Sequence, residues 1–410
     1  MALPSEAKCT IAVAMSPLDD DLVVSTHGGD HTVKISSFFT GKVLRSMGRH
    51  PRTPWAVAIH PRDSSLIASG CLAGRVCLWK NGQLYRELDL GEEIIMSLTF
   101  RLACRATGNK DLLYIAWGTT VWSWDFAEEF NAPQKVLERK GRVQCICFAA
   151  DGAMLSAELP GSLQNLSRIY LWRDRSSLLN SSDDDDDDED GDGEEMVAAT
   201  TRTSPVGTPP MAWTVGASAS PSSVSAAAAN SRTLPGVLVL NSVVLYSDGG
   251  MSVSKCGRFM CAIQSSLQGM AFSPSNPTRC RLVVVSLQRR SLGEIVRSVS
   301  LEGIASAGLT SVKFSPTDEH IVCGYGVAGR PYLPAGTSSS SAVKLCLAVY
   351  SNSPQNGADL KLEAVKTSTS DDVNVAIFHP TPGFGVLYGT RQGPLRFWEP
   401  IRGESEDRVV

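Results

Sequence analysis

Four short runs decide the fold: Trp55-Ala-Val-Ala-Ile-His-Pro, Leu66-Ile-Ala-Ser-Gly-Cys, Arg75-Val-Cys-Leu-Trp-Lys and Leu84-Tyr-Arg-Glu-Leu-Asp-Leu. Each is a strand-length stretch of apolar or β-branched residues followed by a turn, and none carries the 3.6-residue periodicity of a helix. Similar blocks open at Ile11-Ala-Val-Ala-Met-Ser-Pro, Ile95-Met-Ser-Leu-Thr-Phe, Val143-Gln-Cys-Ile-Cys-Phe, Thr310-Ser-Val-Lys-Phe-Ser-Pro and Val373-Asn-Val-Ala-Ile-Phe-His-Pro. Pro17 precedes Pro61 by 44 residues, and Pro61 precedes the matching Arg101 by 40. That spacing is the period of four-stranded WD40 propeller blades, about 40–45 residues. Blade starts near residues 9, 54, 94, 142, 249, 309 and 372 predict an all-β, seven-bladed WD40 β-propeller. The fifth start has a rival, because Met270-Ala-Phe-Ser-Pro also reads as a first strand.

Working outward, the third strand of four blocks supplies a large aromatic: Trp79, Trp124, Trp172 and Trp398. Such a side chain packs between neighbouring blades, and its N–H needs a partner once buried. In the fullest WD40 repeats that partner network is a His, a Ser or Thr, a turn Asp and the Trp. The second block has His50, Ser69 and Trp79, but Ala73 stands at the turn position. The first block has the turn residue, Asp30, without the Trp.

The blocks are interrupted once. Residues 175–235 hold eleven acidic residues, all within 183–195, and three basic ones, in text otherwise rich in Ser, Ala, Pro, Gly and Thr. This stretch cannot bury enough apolar surface to order itself and is expected to be disordered. It follows the third-strand run Leu171-Trp172-Arg173 and precedes Val237-Leu-Val-Leu, so it splits the fourth blade. The expected organisation is residues 9–174 for blades one to four, 175–235 for the insertion, 236–400 for the rest of the same propeller, and a tail at 401–410. The net charge of −4 belongs to the insertion: without it, 38 basic residues become 35 and 42 acidic ones become 31. The propeller itself is mildly basic. A second Gly/Ser-rich loop spans 329–341.

Several function classes are excluded. No apolar run approaches the eighteen or so residues of a membrane-spanning helix, and Met1-Ala-Leu-Pro-Ser-Glu has no secretory signal character. Gly324-Tyr-Gly326-Val-Ala-Gly329 matches a dinucleotide-binding pattern, but Arg330-Pro-Tyr-Leu-Pro forbids the helix that such a site needs. Eleven cysteines lack framework spacing and read as reduced, mostly buried thiols of a cytoplasmic or nuclear protein. Cys145 and Cys147 are read as pointing to opposite faces of one strand, and with no nearby His they cannot complete a zinc shell. The six histidines, at 27, 31, 50, 60, 320 and 379, fall in repeat positions or turns, and no hydrolase, metalloprotease or phosphate-loop motif accompanies them. The expectation is a non-enzyme with no cofactor and no metal.

Two features point to partners. Arg49, Arg52, Arg75, Arg330 and Arg391 fall on predicted loops, the first three on one rim of the second blade. Arginines so placed can accept an acidic or phosphorylated peptide. No aromatic-plus-basic interleaving suggests nucleic acid. Ser181 and Ser182, just upstream of the aspartates, suit acidophilic kinases, while Ser204, Thr208 and Ser220 precede proline.

The wording of the second block also resembles a known family. Ser25-Thr-His27, Thr40-Gly-Lys42, Gly48-Arg-His50, Arg52-Thr-Pro-Trp55, His60-Pro61 and Leu66-Ile-Ala-Ser-Gly-Cys-Leu72 are similar to the N-terminal half-propeller of the Ambra family, the activating molecules in Beclin-regulated autophagy. Val349-Tyr-Ser351, Gly383-Phe-Gly-Val-Leu-Tyr-Gly-Thr390 and Gln392-Gly393 agree with its second half. The resemblance covers about 9–174 and 236–400. It implies a propeller split by a long disordered insertion and a non-enzymatic scaffold in autophagy, including mitophagy. It further implies a substrate receptor for a cullin-RING ubiquitin ligase. The implied partners are the ligase adaptor, substrate proteins and autophagy-initiation factors, with a place at the periphery of autophagosome membranes. Family members dock on the adaptor through a helical segment ahead of the first blade. Here Met1 stands almost at the first blade, so that segment is expected to be missing and blade seven lacks an evident fourth strand. The tail Arg408-Val-Val410 is the candidate to replace it. The competing reading is a WD40 subunit of some other multiprotein complex, in cell-cycle control or trafficking.

Overall fold

Short alternating apolar runs, each ended by a turn, leave the chain little choice but antiparallel hairpins, and consecutive hairpins stack side by side. The computed structural model describes residues 9–104, 107–128, 131–160, 166–173, 236–245, 250–265, 280–301, 308–326, 344–368, 372–393, 395–400 and 408–409. Seven four-stranded antiparallel blades occupy 10–48, 54–89, 95–138, 142–243, 251–300, 309–368 and 373–409. Their starts fall within two residues of those expected from the repeat.

In blades 1 to 6 the fourth strand is the outer wall and is more exposed than the strands inside it. The fourth strand of blade 1, Val43–Gly48, is exposed at all but one position, whereas the second, Leu22–His27, is buried at all but one. The first strands touch one another in a closed cycle from blade 1 through blade 7 and back. The core is divided accordingly. Seven hydrophobic clusters lie one at each junction between adjacent blades, the last joining Val13, Val23 and Phe38 of blade 1 to Val375, Leu387 and Leu395 of blade 7. Close approach at these junctions depends on second-strand glycines. A Cβ on Gly70 would collide with Cγ2 of Ile95 in the next blade, and one on Gly389 would lie 2.5 Å from Cγ2 of Thr10.

The chain interrupts blade 4 between its third strand, Ser167–Trp172, and its fourth, Val237–Val243, which pair with each other. Gly236 is pressed against the Trp172 indole, so the chain returns to the place it left. Val243 also pairs with Gln264 of blade 5, which joins these two blades into one eight-stranded sheet. Blade 5 starts with the three-residue strand Met251–Val253, and so follows the hairpin reading of Ser252; residues 266–279, with the rival Met270, lie outside the described residues. Blade 7 acquires its fourth strand from the tail, where Arg408 and Val409 pair with Phe397 and Arg396.

One expectation is corrected. Cys145 and Cys147 do not face opposite ways: both pack against the same cluster between blades 4 and 5, because residues two apart on a strand share a face. All eleven cysteines are free thiols, seven of them buried. Burial pushes the Cys77 thiol up to about 12 and raises Cys261 and Cys323 further, so these sulfurs serve as small apolar groups.

Candidate functional site

In a propeller the loops between strands form the two rims, and their geometry is set by what holds the blades against each other. The repeat residues do this in a recognisable pattern. Trp79, Trp124, Trp172 and Trp398 are all buried third-strand side chains. Each belongs to the cluster shared with the preceding blade. In blade 2 the Trp79 indole donates to Ser69 Oγ at 2.8 Å, and the same hydroxyl lies 2.7 Å from His50 Nε2. His50 Nδ1 has no hydrogen-bond partner among the described residues, and the turn that elsewhere offers an aspartate holds Ala73. Burial, with Arg75 nearby, lowers the His50 imidazole to about 4 and keeps it neutral.

Blade 4 repeats the first half of this arrangement. Trp172 donates to Ser156 Oγ at 2.9 Å, and Ser156 sits two residues beyond the strand partner of the indole, as Ser69 does. The place of His50 is taken by Arg139, whose guanidinium stacks 4.8 Å from the Trp172 ring centroid and pairs with Glu158 at 2.6 Å. Burial raises the Glu158 carboxyl, with Arg139 opposing the shift. Nothing in the repeat pattern announces Arg139 or Glu158; the matching Ser156 was the available signal. Trp124 differs again and donates to the Asn131 carbonyl at 3.2 Å. Blade 6 buries Tyr350 opposite Ile321, the register that Trp79 has with Ile67, an aromatic outside the tryptophan pattern.

Two histidines close turns in the same way. The Arg62 amide donates to His60 Nδ1 and the Thr381 amide to His379 Nδ1, so each ring keeps its proton on Nε2. That nitrogen reaches the next blade, at Asp111 Oδ2 (3.3 Å) for His60 and the Asp20 carbonyl (2.9 Å) for His379. The seam between blades 7 and 1 is further tied by Thr10 Oγ1 donating to the Gly393 carbonyl and Asn374 Nδ2 to the Thr10 carbonyl. Phe38 is buried beside His379 there, while Phe39, Phe384 and Leu18 leave apolar surface in solvent.

The rim arginines are not equivalent. Arg49 and Arg75 hold the two oxygens of one carboxylate, Glu87, at 2.9 and 3.0 Å, and Arg75 also reaches Asp89 at 3.4 Å. Their charge is largely answered within the chain. Arg52 is exposed in the loop that enters blade 2, and Arg391 is exposed on blade 7, away from that group. Below Arg49, a groove of about 350 Å³ runs between the outer strand of blade 1 and the last hairpin of blade 2, lined by Arg45, Met47, Trp79 and Leu84 among others. Arg330, Ser181, Ser182, Ser204, Thr208 and the insertion lie outside the described residues. Gly324 of the glycine-rich pattern lies inside a strand, packed on Ser311 and Val373, and residues 327–329 lie outside the description. Among the described residues no group of three or more His, Cys, Asp or Glu is placed to hold a metal ion, and no helix is long and apolar enough to cross a membrane.

Three comparisons agree with this geometry. The family model described as WD domain, G-beta repeat matches residues 41–80, the segment that contains His50, Ser69 and Trp79. The chain is 35% identical over 168 residues to activating molecule in BECN1-regulated autophagy protein 1B of Danio rerio, covering 40% of this chain and 12% of that protein. It is 35% identical over 149 residues to protein 1A of the same fish, covering 36% and 11%. The chain thus spans about one-eighth of the length of these relatives. Among solved structures, the β-propeller domain of Cps50 (Swd1) from Myceliophteria thermophila superposes with a TM-score of 0.58 over 97% of both chains at 11% identity, a likeness of fold. This chain is a seven-bladed β-propeller that carries a WD40 repeat at residues 41–80 and is similar over part of its length to the activating molecules in BECN1-regulated autophagy.

Proposed function

We propose that this propeller is a non-enzymatic scaffold of autophagy that presents substrates to a cullin-RING ubiquitin ligase. The observation that carries the reading is the 35% identity over 168 residues to a protein named for autophagy regulation. The architecture suits the role: a closed ring leaves only short, protected edges and holds its loops rigidly enough for several partners to bind at once. The chemistry suits it too, since the buried histidines and cysteines are engaged in packing and turn closure. In this reading the ligase adaptor, substrate proteins and autophagy-initiation factors are the partners. The protein works in the cytoplasm and nucleus and at the periphery of autophagosome membranes. The rim surfaces, including Arg52 and Arg391, and phosphorylation at Ser181, Ser182, Ser204 or Thr208 would select among partners.

Affinity purification of the tagged full chain from fed and starved cells tests this. Recovery of the ligase adaptor and of initiation factors, the latter changing with starvation, is the expected result. Recovery of one fixed complex in both conditions, with neither group present, would replace the reading with that of a WD40 subunit of another assembly.

A further inference from the structure

We propose that the seam between blades 7 and 1 is a docking site for a protein segment that sets a leucine or aromatic side chain between lysines or arginines. Ten large apolar side chains are exposed among the described residues, and seven of them lie on outer strands, whose solvent face accounts for them. The other three, Leu18 (60% exposed), Phe39 (47%) and Phe384 (38%), lie in loops, and all three loops belong to this seam. Leu18 is in the loop between the first two strands of blade 1, Phe39 in the loop between its last two, and Phe384 in the loop between the first two of blade 7. Loops at those places emerge at the same end of an antiparallel blade, so the three form one rim surface.

Phe39 is held outward by its own backbone. The Phe38 amide donates to the Asp21 carbonyl and the Phe39 amide to Asp21 Oδ1, each at 2.8 Å, which leaves Phe38 buried and its neighbour in solvent. The Phe39 ring rests edge-on against Phe38 and Phe384, with centroids 5.4 and 5.8 Å apart. Thr381 Oγ1 donates to Asp20 Oδ1 at 2.6 Å and ties the blade 7 loop to the same turn. The ridge is fixed before anything binds, so a partner loses little by ordering it, and aromatics presented in this way serve as anchors of recognition. Charge then selects the partner. Asp19, Asp20 and Asp21 follow Leu18, none of them forms an ion pair among the described residues, and Lys42 is the one lysine or arginine in the three loops. Each aspartate spends Oδ1 on a loop contact, and the exposed Asp19 and Asp20 keep Oδ2 for a cation from outside. An apolar side chain on the Phe39–Phe384 ridge, flanked by cations against these carboxylates, satisfies both features, while an acidic segment is repelled.

The test titrates the full chain, by fluorescence anisotropy, into two labelled peptides with the same leucines and phenylalanines. One peptide carries lysines at the positions between them and the other carries glutamates. The lysine peptide should bind at least about tenfold more tightly at low salt, and its advantage should shrink in 1 M NaCl, where the Debye length falls to about 3 Å. Changing Phe39→Ser and Phe384→Ser together should weaken its binding about tenfold, as truncating central aromatic anchors does. Asp19→Lys, an exposed change that leaves both rings in place, should weaken it about threefold at low salt and leave it unaltered at high salt. Leu84→Ser, on the outer wall of blade 2, should have no effect. Equal binding of the two peptides, no binding of the lysine peptide at about 1 mM, or an equal loss in Leu84→Ser would overturn the proposal. A dimer of the chain itself, seen by sedimentation and dissolved by Phe39→Ser, would also overturn it, because the occupant would then be a second copy.

Discussion

Blades 2 and 4 bury the same indole on the same serine hydroxyl and then differ in the third partner. Blade 2 uses a neutral imidazole, His50, while blade 4 uses an ion pair, Arg139 with Glu158. The backbone slot is therefore conserved in geometry and indifferent to charge, provided the tryptophan N–H is satisfied and the space is filled. The electrostatic consequences are opposite. An imidazole held at about 4 resists protonation in the fold, and a carboxyl raised by burial resists ionisation.

The largest effect should come from what the two blades share. Trp79→Ala and Trp172→Ala should each destabilise the ring by about 3–5 kcal/mol, as the loss of a buried aromatic does. Chemical denaturation would detect this, and an unchanged midpoint in either variant would remove that indole from the junction core. The next effect separates the blades. Arg139→Ala leaves Glu158 buried without its cation and should cost about 3 kcal/mol, whereas the same change made on top of Glu158→Gln should cost far less. Equal costs in both backgrounds would mean that Arg139 acts by packing alone.

The smallest effect, near neutral pH, is the dependence on pH. The unfolded chain protonates His50 near its ordinary value of 6.5 while the fold refuses until about 4, so blade 2 loses stability as pH falls through that window. Glu158 works the other way: its folded value is raised, so its contribution is present in acid and lost as pH rises through that raised value. Stability curves between pH 7 and pH 4 should flatten for His50→Gln and steepen for Glu158→Gln. Ala73→Asp, by offering His50 Nδ1 a carboxylate, should raise the imidazole value, so the acid loss should shrink and end at higher pH. Curves that superpose for all these variants would remove the distinction.

The contrast also explains what could be read from the sequence. Blade starts were legible because strand, turn and period repeat, and Trp79 with Ser69 and His50 was legible because those residues match the repeat outright. Arg139 and Glu158 were not, since they meet the same need with a different chemistry. The seam between blades 1 and 7 was hidden for another reason: Thr10 and Gly393 are adjacent only after the ring closes, and no local pattern encodes that. The closing strand, Arg408–Val409, is two residues long and too short to carry a periodicity.

The return of Gly236 to the face of Trp172 has a topological consequence. A circle of blades has no first member, and in this one two connections fall outside the paired strands: the seam beside Thr10, and the insertion that Trp172 and Gly236 bracket. A propeller opened within that insertion and closed across the seam would keep the same seven junctions, because none of the seven clusters draws a residue from either connection.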